Sequence, residues 1–212
     1  LVVSTVERVL LELEAPGASV EVLSNEHEVK GALTPFVERK DFWFVGGFQH
    51  PPNLDAMQWF VRDVWPKVEA KLPDARFHIV GSRMPDEVRA LASERVVAHG
   101  HVADLAPFLD GCRIAVAPLR YGAGVKGKVN QSMAHGQPVV ATPIAVEGMQ
   151  VETGNDALVA ESPDDFAEAI VSLYHDETLW QRLSEGGVRN VERAFSFDAA
   201  RAALQRILPR QG

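Results

Sequence analysis

The chain has 212 residues, 46% of them hydrophobic and 24% charged, with a formal net charge of -8, enough length for a sizeable core in one domain plus an appendage. The negative balance disfavours duplex nucleic acid, whose binding needs clustered cations. One cysteine, Cys112, excludes an internal disulfide and fits a reducing compartment, and no apolar run approaches the roughly 20 residues that cross a bilayer.

Taken in chain order, the sequence opens on Leu1 inside an apolar stretch rather than on Met, which leads us to expect a piece of a longer protein. Thr5 to Glu14 reads as a helix and Ser19 to Leu23 as a strand. Residues 1–34 are expected to be the remnant of a preceding domain and a linker, with the main domain over 35–212. Phe42 to Val45 is a buried strand ending at Gly46 and Gly47. After Pro51 and Pro52, Asn53 is placed to cap a helix whose Leu54, Met57, Val61, Val64, Val68 and Leu72 recur at helical spacing. Strands follow at 76–80, 95–98, 113–117 and 138–141, with a sixth at 157–160. Helices are expected from Pro85 to about Ala92, from Val102 to Leu109 and from Lys128 to His135, the last ended by Gly136. Apolar positions at Phe166, Ile170 and Leu173, at Leu179, Leu183 and Val191, and at Leu204, Ile207 and Leu208 predict three closing helices packed at one sheet edge. Short apolar runs alternating with longer amphipathic ones give an α/β fold, a parallel sheet with helices on both faces.

The most informative stretch runs from Gly111 to Val146. It holds no Asp or Glu, although the chain has 29 of them and chance alone predicts about five there. Arg113, Arg120, Lys126 and Lys128 all fall inside it. In an open parallel sheet, ligands collect beyond the carboxyl ends of the strands, where helices begin. The loop from Arg120 to Lys128 lies there, and its glycines, lysines and following helix start are the parts of a phosphate cradle. No dinucleotide fingerprint or P-loop sequence is present. An ordinary strand-to-helix turn would also account for Gly122, Gly124 and Gly127, and a solvated face for the two lysines. His99 and His101 would point the same way on a continued strand, but no third metal ligand lies at a familiar spacing, so no metal is assigned. His50 reads as a loop histidine and Cys112 as a core residue.

Several runs carry a resemblance: Phe44 to Ala56 (FVGGFQHPPNLDA), Trp65 with Pro66, Phe77 to Gly81 (FHIVG), Val125 to Thr142 (VKGKVNQSMAHGQPVVAT), and Glu147 to Met149. Over about residues 35–208 the chain resembles the C-terminal, donor-binding domain of group 1 (family 4) glycosyltransferases. The resemblance implies a GT-B fold, two Rossmann-like domains facing across a cleft, with a nucleoside-diphosphate sugar as donor substrate and no cofactor. By that resemblance Gly46, Gly47, Arg83, Gly124, Val125 and Val129 would meet the diphosphate or donor sugar. Lys126 and Lys128 would be the catalytic cations, and His101, Val102, Leu105 and Gln131 would border the base and ribose. Gln131 stands where the family's E-x7-E signature has its second glutamate, and Ala123 where it has the first. A glutamine keeps one ribose hydrogen bond without the charge assistance; an alanine cannot reach the sugar.

The family further implies a retaining, metal-independent, hexosyltransferase-like enzyme of cell-surface polysaccharide biosynthesis, cytoplasmic and extending to the inner membrane face. Its acceptor, a sugar, glycan or lipid-linked group, would be bound by an N-terminal domain outside this chain, leaving the piece inactive alone. Two alternatives stand beside this expectation. One is a nucleotide-sugar epimerase of the same fold. The other is a non-catalytic Rossmann-like module that docks a partner through exposed Trp59, Trp65 or Trp180.

Overall fold

A computed structural model describes residues 1–208. The six expected apolar runs form one parallel sheet of β1 (Lys40–Val45), β2 (Phe77–Val80), β3 (Val96–Gly100), β4 (Cys112–Ala117), β5 (Val139–Ala141) and β6 (Leu158–Val159), in the order β3-β2-β1-β4-β5-β6. Every ladder is parallel. Strands covered on both faces have no polar side, which is why Phe42, Trp43 and Phe44 can follow one another at 1% exposure or less. The order reverses between β1 and β4, and at such a switch point the following loops part to leave a crevice.

Helix α1 (Thr5–Glu14) has the expected bounds. Ser4 caps it, its hydroxyl accepting from the Glu7 amide, while the Glu7 carboxylate accepts from the Val3 amide at 2.9 Å. Residues 19–23, expected as a strand, find no sheet edge to join. Val22 makes only an isolated bridge to Val2. The same segment then crosses the molecule, the Lys30 and Gly31 amides donating to the Ala134 carbonyl.

Between β1 and β2 the long helical pattern resolves into α2 (Pro51–Trp59), a π turn over Phe60–Val64, and α3 (Trp65–Lys71). Pro66 explains the interruption. It has no N–H for the carbonyl of Arg62, so the helix widens one turn earlier instead of continuing regularly. Asn53 is not the cap. The chain enters the helix at Pro51, whose fixed φ suits the first turn, and this frees the Asn53 side chain for another role.

Helix α4 (Asp86–Arg89) is a single turn. Helix α5 (Ala106–Gly111) begins four residues later than Val102 because the Asp104 carboxylate binds the Ala106 amide at 2.9 Å and holds the preceding residues as a loop. Helix α6 (Gly127–Ala134) follows β4. Gly136, at φ 60°, ends it, as its spacing predicted. The closing helices α7 (Pro163–His175), α8 (Glu177–Ala194) and α9 (Phe197–Ile207) are capped by Ser162, Asp176 and Ser196. Helix α7 packs on α3 and on β4 to β6, α8 on α6 and α7, and α9 on α8.

One close approach fixes the crevice. A Cβ on Gly81, at the end of β2, would stand 1.8 Å from the Gly46 carbonyl oxygen beyond β1, and a backbone atom cannot swing aside as a side chain can. Gly81→Ala is therefore expected to destabilise the fold by about 3 kcal/mol, the upper part of the overpacking range, measurable as a lowered urea midpoint with unchanged m-value.

Candidate functional site

A cleft of about 480 Å³ opens beyond the carboxyl ends of β1 and β4, at the point where strand order reverses. Gly46, Gly47, His50 and Asn53 form one wall, and the loop from Leu119 to Lys128 forms the other. Helix α6 starts at this cleft with no side-chain hydrogen bond capping its first turn. The Val129 amide is taken by the Lys126 carbonyl at 2.9 Å, but the Gly127 and Lys128 amides before it remain available to an acceptor, and the helix dipole favours a negative one.

Lys128 lies in the floor. Its Nζ donates to Asn53 Oδ1 at 2.6 Å and sits 4.1 Å from the centre of the Phe44 ring. Asn53 Nδ2 in turn donates to the Gly47 carbonyl at 2.7 Å. A Cβ on Gly46 would come within 2.9 Å of both the Asn53 amide and the Lys128 ammonium, so glycine at 46 is what lets that pair form beside the strand end. Burial, and secondarily repulsion from Lys126, pull the Lys128 ammonium down to about 7. A neutral amide satisfies one of its protons without supplying the negative charge that would hold it charged.

Lys126 is placed differently. Its Nζ folds back onto the carbonyls of Gly122, at 3.3 Å, and Gly124. Burial lowers its pKa while Glu147 and Glu7 act to raise it. Glu7 enters from α1 and lies near Gly124. The acid-free stretch of sequence is thus not acid-free in space. Arg120 forms a two-pronged ion pair with Asp55 of α2, one contact at 2.9 Å. Arg113 points to the other end of β4, its guanidinium 4.1 Å from the Phe36 ring and 4.4 Å from that of Tyr174. Of the four cations in the window, Lys126 and Lys128 line the cleft.

The residues singled out from the sequence separate into three places. Gly46, Gly47, Val125, Lys126 and Lys128 line the cleft, with Gly124 beside them in the same loop at φ 76°. Val129, expected at the diphosphate or donor sugar, has its side chain turned into the core at 1% exposure. Arg83 is exposed on the loop after β2. His101, Val102 and Leu105 lie on the β3–α5 loop, the latter two packed on the core. Gln131 lines a smaller hollow of about 200 Å³ with His27, Glu28, Lys30, Ala134 and His135. It shares a helix face with Gly127, one turn earlier. His50, Asn53, Leu119 and Tyr121 line the cleft without having been named for it; Tyr121 falls inside the loop read as a phosphate cradle, and the signal at Asn53 was misassigned to capping.

His99 turns toward His78, with ring nitrogens 2.9 Å apart, and His78 reaches Asp41 at 3.3 Å. Among the described residues no three His, Cys, Asp or Glu side chains converge as a metal site requires. Cys112 is buried, which pushes its thiol up and suits a core residue. Trp59, Trp65 and Trp180, expected to be exposed in the docking alternative, are at most 6% exposed. Each packs against another ring, because large aromatic surfaces gain most by leaving water. No described helix is long and apolar enough to cross a membrane.

The sequence profile of the family described as Glycosyl transferases group 1 matches residues 39–176, more than half of the chain. The chain belongs to the group 1 glycosyl transferases. The match spans β1 through α7 and so contains the whole cleft wall from Gly46 to Lys128. A curated relative, the uncharacterized 44.6 kDa protein in the cps region of Klebsiella pneumoniae, is 28% identical over 138 residues, 61% of this chain and 36% of its own length. Among solved structures, TarM of S. aureus, in a complex that includes UDP, superposes with a TM-score of 0.81 at 16% identity over 97% of this chain and 43% of its own. Anabaena HepE with UDP and glucose gives 0.76 at 14% identity, covering 97% of this chain and 60% of HepE. Sucrose-phosphate synthase from Thermosynechococcus elongatus gives 0.74 at 19%, covering 97% and 55%. This group 1 chain therefore shares their fold and spans about a third to three fifths of the length of these relatives.

The buried ammonium makes a stability prediction. The folded value of Lys128 is about 7 against an ordinary 10.5. Between those pH values the unfolded chain binds a proton that the folded chain lacks, so stability rises with pH across the window. Lys128→Met is expected to gain most over wild type at or below about pH 7 and to lose that advantage toward about pH 10. Urea unfolding of both proteins across this range measures the difference.

Proposed function

We propose that this chain is the donor-binding half of a retaining sugar transferase. The diphosphate of a nucleoside-diphosphate sugar lies in the cleft, between Lys128, the open end of α6 and the Gly46–Gly47 backbone. The observation that carries this reading is the Lys128 ammonium, held at the switch point by a neutral amide, with a glycine wall that brings backbone close and no carboxylate paired to it. Membership of group 1 supports it, as do the UDP complexes of TarM and HepE, which share the fold. The nucleoside runs from the cleft along the face shared by Gly127 and Gln131, toward the hollow where His27 and Glu28 stand.

The chemistry follows from where charge grows. As the glycosidic bond breaks, negative charge develops on the β-phosphate oxygen. A protonated Lys128 and the first amides of α6, already oriented, lower that barrier without reorganising. Losing one such donor costs about 3 kcal/mol of transition-state stabilisation. Lys126, engaged by its own loop, contributes mainly through the shape of that loop. In this reading no metal takes part. The acceptor is a saccharide or lipid-linked group held by a further domain, and the piece alone binds a nucleotide without transferring sugar. A place in surface polysaccharide assembly is supported by the relative in the cps region.

Calorimetric titration with UDP, GDP and ADP tests this. One of the three is expected to bind, and Lys128→Met to weaken it by about tenfold or more. Lys126→Ala should have the smaller effect. Because the unliganded ammonium titrates near 7 and a bound diphosphate raises it, binding above that pH takes up a proton. The heat then depends on the buffer's ionisation enthalpy, and affinity falls as pH rises through the window. Equal affinity in wild type and Lys128→Met, or no binding of any nucleotide, overturns the assignment.

A further inference from the structure

A second hollow, of about 300 Å³, opens where α1 and the carboxyl end of α8 meet one face of α9. Its rim carries three guanidinium groups: Arg8 of α1, Arg193 in the last turn of α8 and Arg206 in the last turn of α9. Thr5 adds a hydroxyl, Gln150 an amide, and alanines of the two helices form the floor. No Asp or Glu is among the lining residues. In a chain with 29 acids against 21 Lys and Arg, three arginines around one hollow without a carboxylate call for a cause.

Ordinary surface roles do not supply it. Arg193 and Arg206 end their helices, where the dipole favours a cation, yet that effect does not need a third arginine brought from the other end of the chain. Nor does it explain Arg8, whose Nε is buried and has no hydrogen-bond partner. Glu12, one turn along α1 and outside the hollow, forms an ion pair with that nitrogen at 3.9 Å, too long for a hydrogen bond. Among the described residues neither Arg193 nor Arg206 forms an ion pair. Guanidinium forks present paired N–H donors whose spacing matches two oxygens of one phosphate.

We propose that this hollow is a second anion site that takes a phosphate or diphosphate group, separate from the cleft, with which it shares no lining residue. Arg193 and Arg206 hold the group from the helix ends, and Arg8 closes on it from α1. The phosphate belongs either to a free ion or to a lipid headgroup. The exposed Val6, Val9, Leu10 and Leu13 on the helix that carries Arg8 give a headgroup's chains an apolar neighbour.

Inorganic pyrophosphate is the probe, titrated calorimetrically into Lys128→Met so that the cleft contributes little. Adding Arg193→Gln and Arg206→Gln is expected to weaken the remaining binding by about tenfold or more. Arg8→Gln, changed alone, should act in the same direction, and circular dichroism and urea unfolding confirm that each variant is folded. Cosedimentation with phosphatidylcholine vesicles, with and without phosphatidic acid, separates the sources. Arginine-dependent capture by the acidic vesicles without pyrophosphate affinity assigns a headgroup, and arginine-dependent pyrophosphate binding assigns the free ion. Responses to both probes that are unchanged by all three substitutions, or absent throughout, overturn the proposal.

Discussion

The site turns on how Lys128 is held. Its ammonium, the Asn53 amide and the Gly47 carbonyl form a short chain of hydrogen bonds from α6 across to the end of β1, with Phe44 beneath. Each member constrains its neighbour. Asn53 fixes the path of the chain after Gly46, and that path has room for the ammonium only because Gly46 has no side chain. The Gly46 carbonyl then presses against Gly81, tying the same point to β2. Backbone placement of the cleft and placement of its charge are therefore one problem, solved by two glycines and an asparagine.

Packing behind the cleft explains why these parts keep still. Trp43 donates its indole N–H to Gln137 Oε1 at 2.7 Å, and Gln137 donates onward to the Phe108 and Cys112 carbonyls. This buried amide joins β1, β4 and the turn after α6 without leaving a polar atom of its own unmatched, the condition under which polar groups stiffen a core rather than weaken it. Arg113 ties the other end of β4, its guanidinium between two rings and bonded to the Phe36 and Tyr174 carbonyls, with its Nε left unmatched.

What the sequence disclosed follows the range of the interactions. Parallel strands buried on both faces appear as unbroken apolar runs, so all six and their order along the chain were legible, as were the Gly136 stop and the limits of α1. The glycine–lysine loop announced a crevice because strand, loop and helix are contiguous there. Pairings between distant positions left no local mark. Asn53 meets Lys128 across 75 residues and Arg120 meets Asp55 across 65, so a helix cap was the natural local reading for Asn53, and of Arg120 the sequence said no more than that an acid elsewhere could pair with it. The composition of residues 111–146 likewise says nothing about Glu7, brought in by a helix more than a hundred positions earlier.

That last point alters what the acid-free stretch means. Four cations without local carboxylates suggest a strong positive field, but Arg120 is matched by Asp55 and Arg113 is far from the cleft. What remains is local rather than global electrostatics, as an acidic chain requires. Here the identity of residue 53 is decisive. A carboxylate at that position would pair with Lys128, hold it charged at all pH values of interest, and present an incoming diphosphate with a neutralised partner and a repelling oxygen. An amide accepts the same hydrogen bond at the same distance and leaves the ammonium short of negative charge, which is why burial can draw it down to about 7. An anion entering the cleft meets a cation that its surroundings solvate poorly, beside amides already aligned, so it gains from both without first displacing a competing carboxylate.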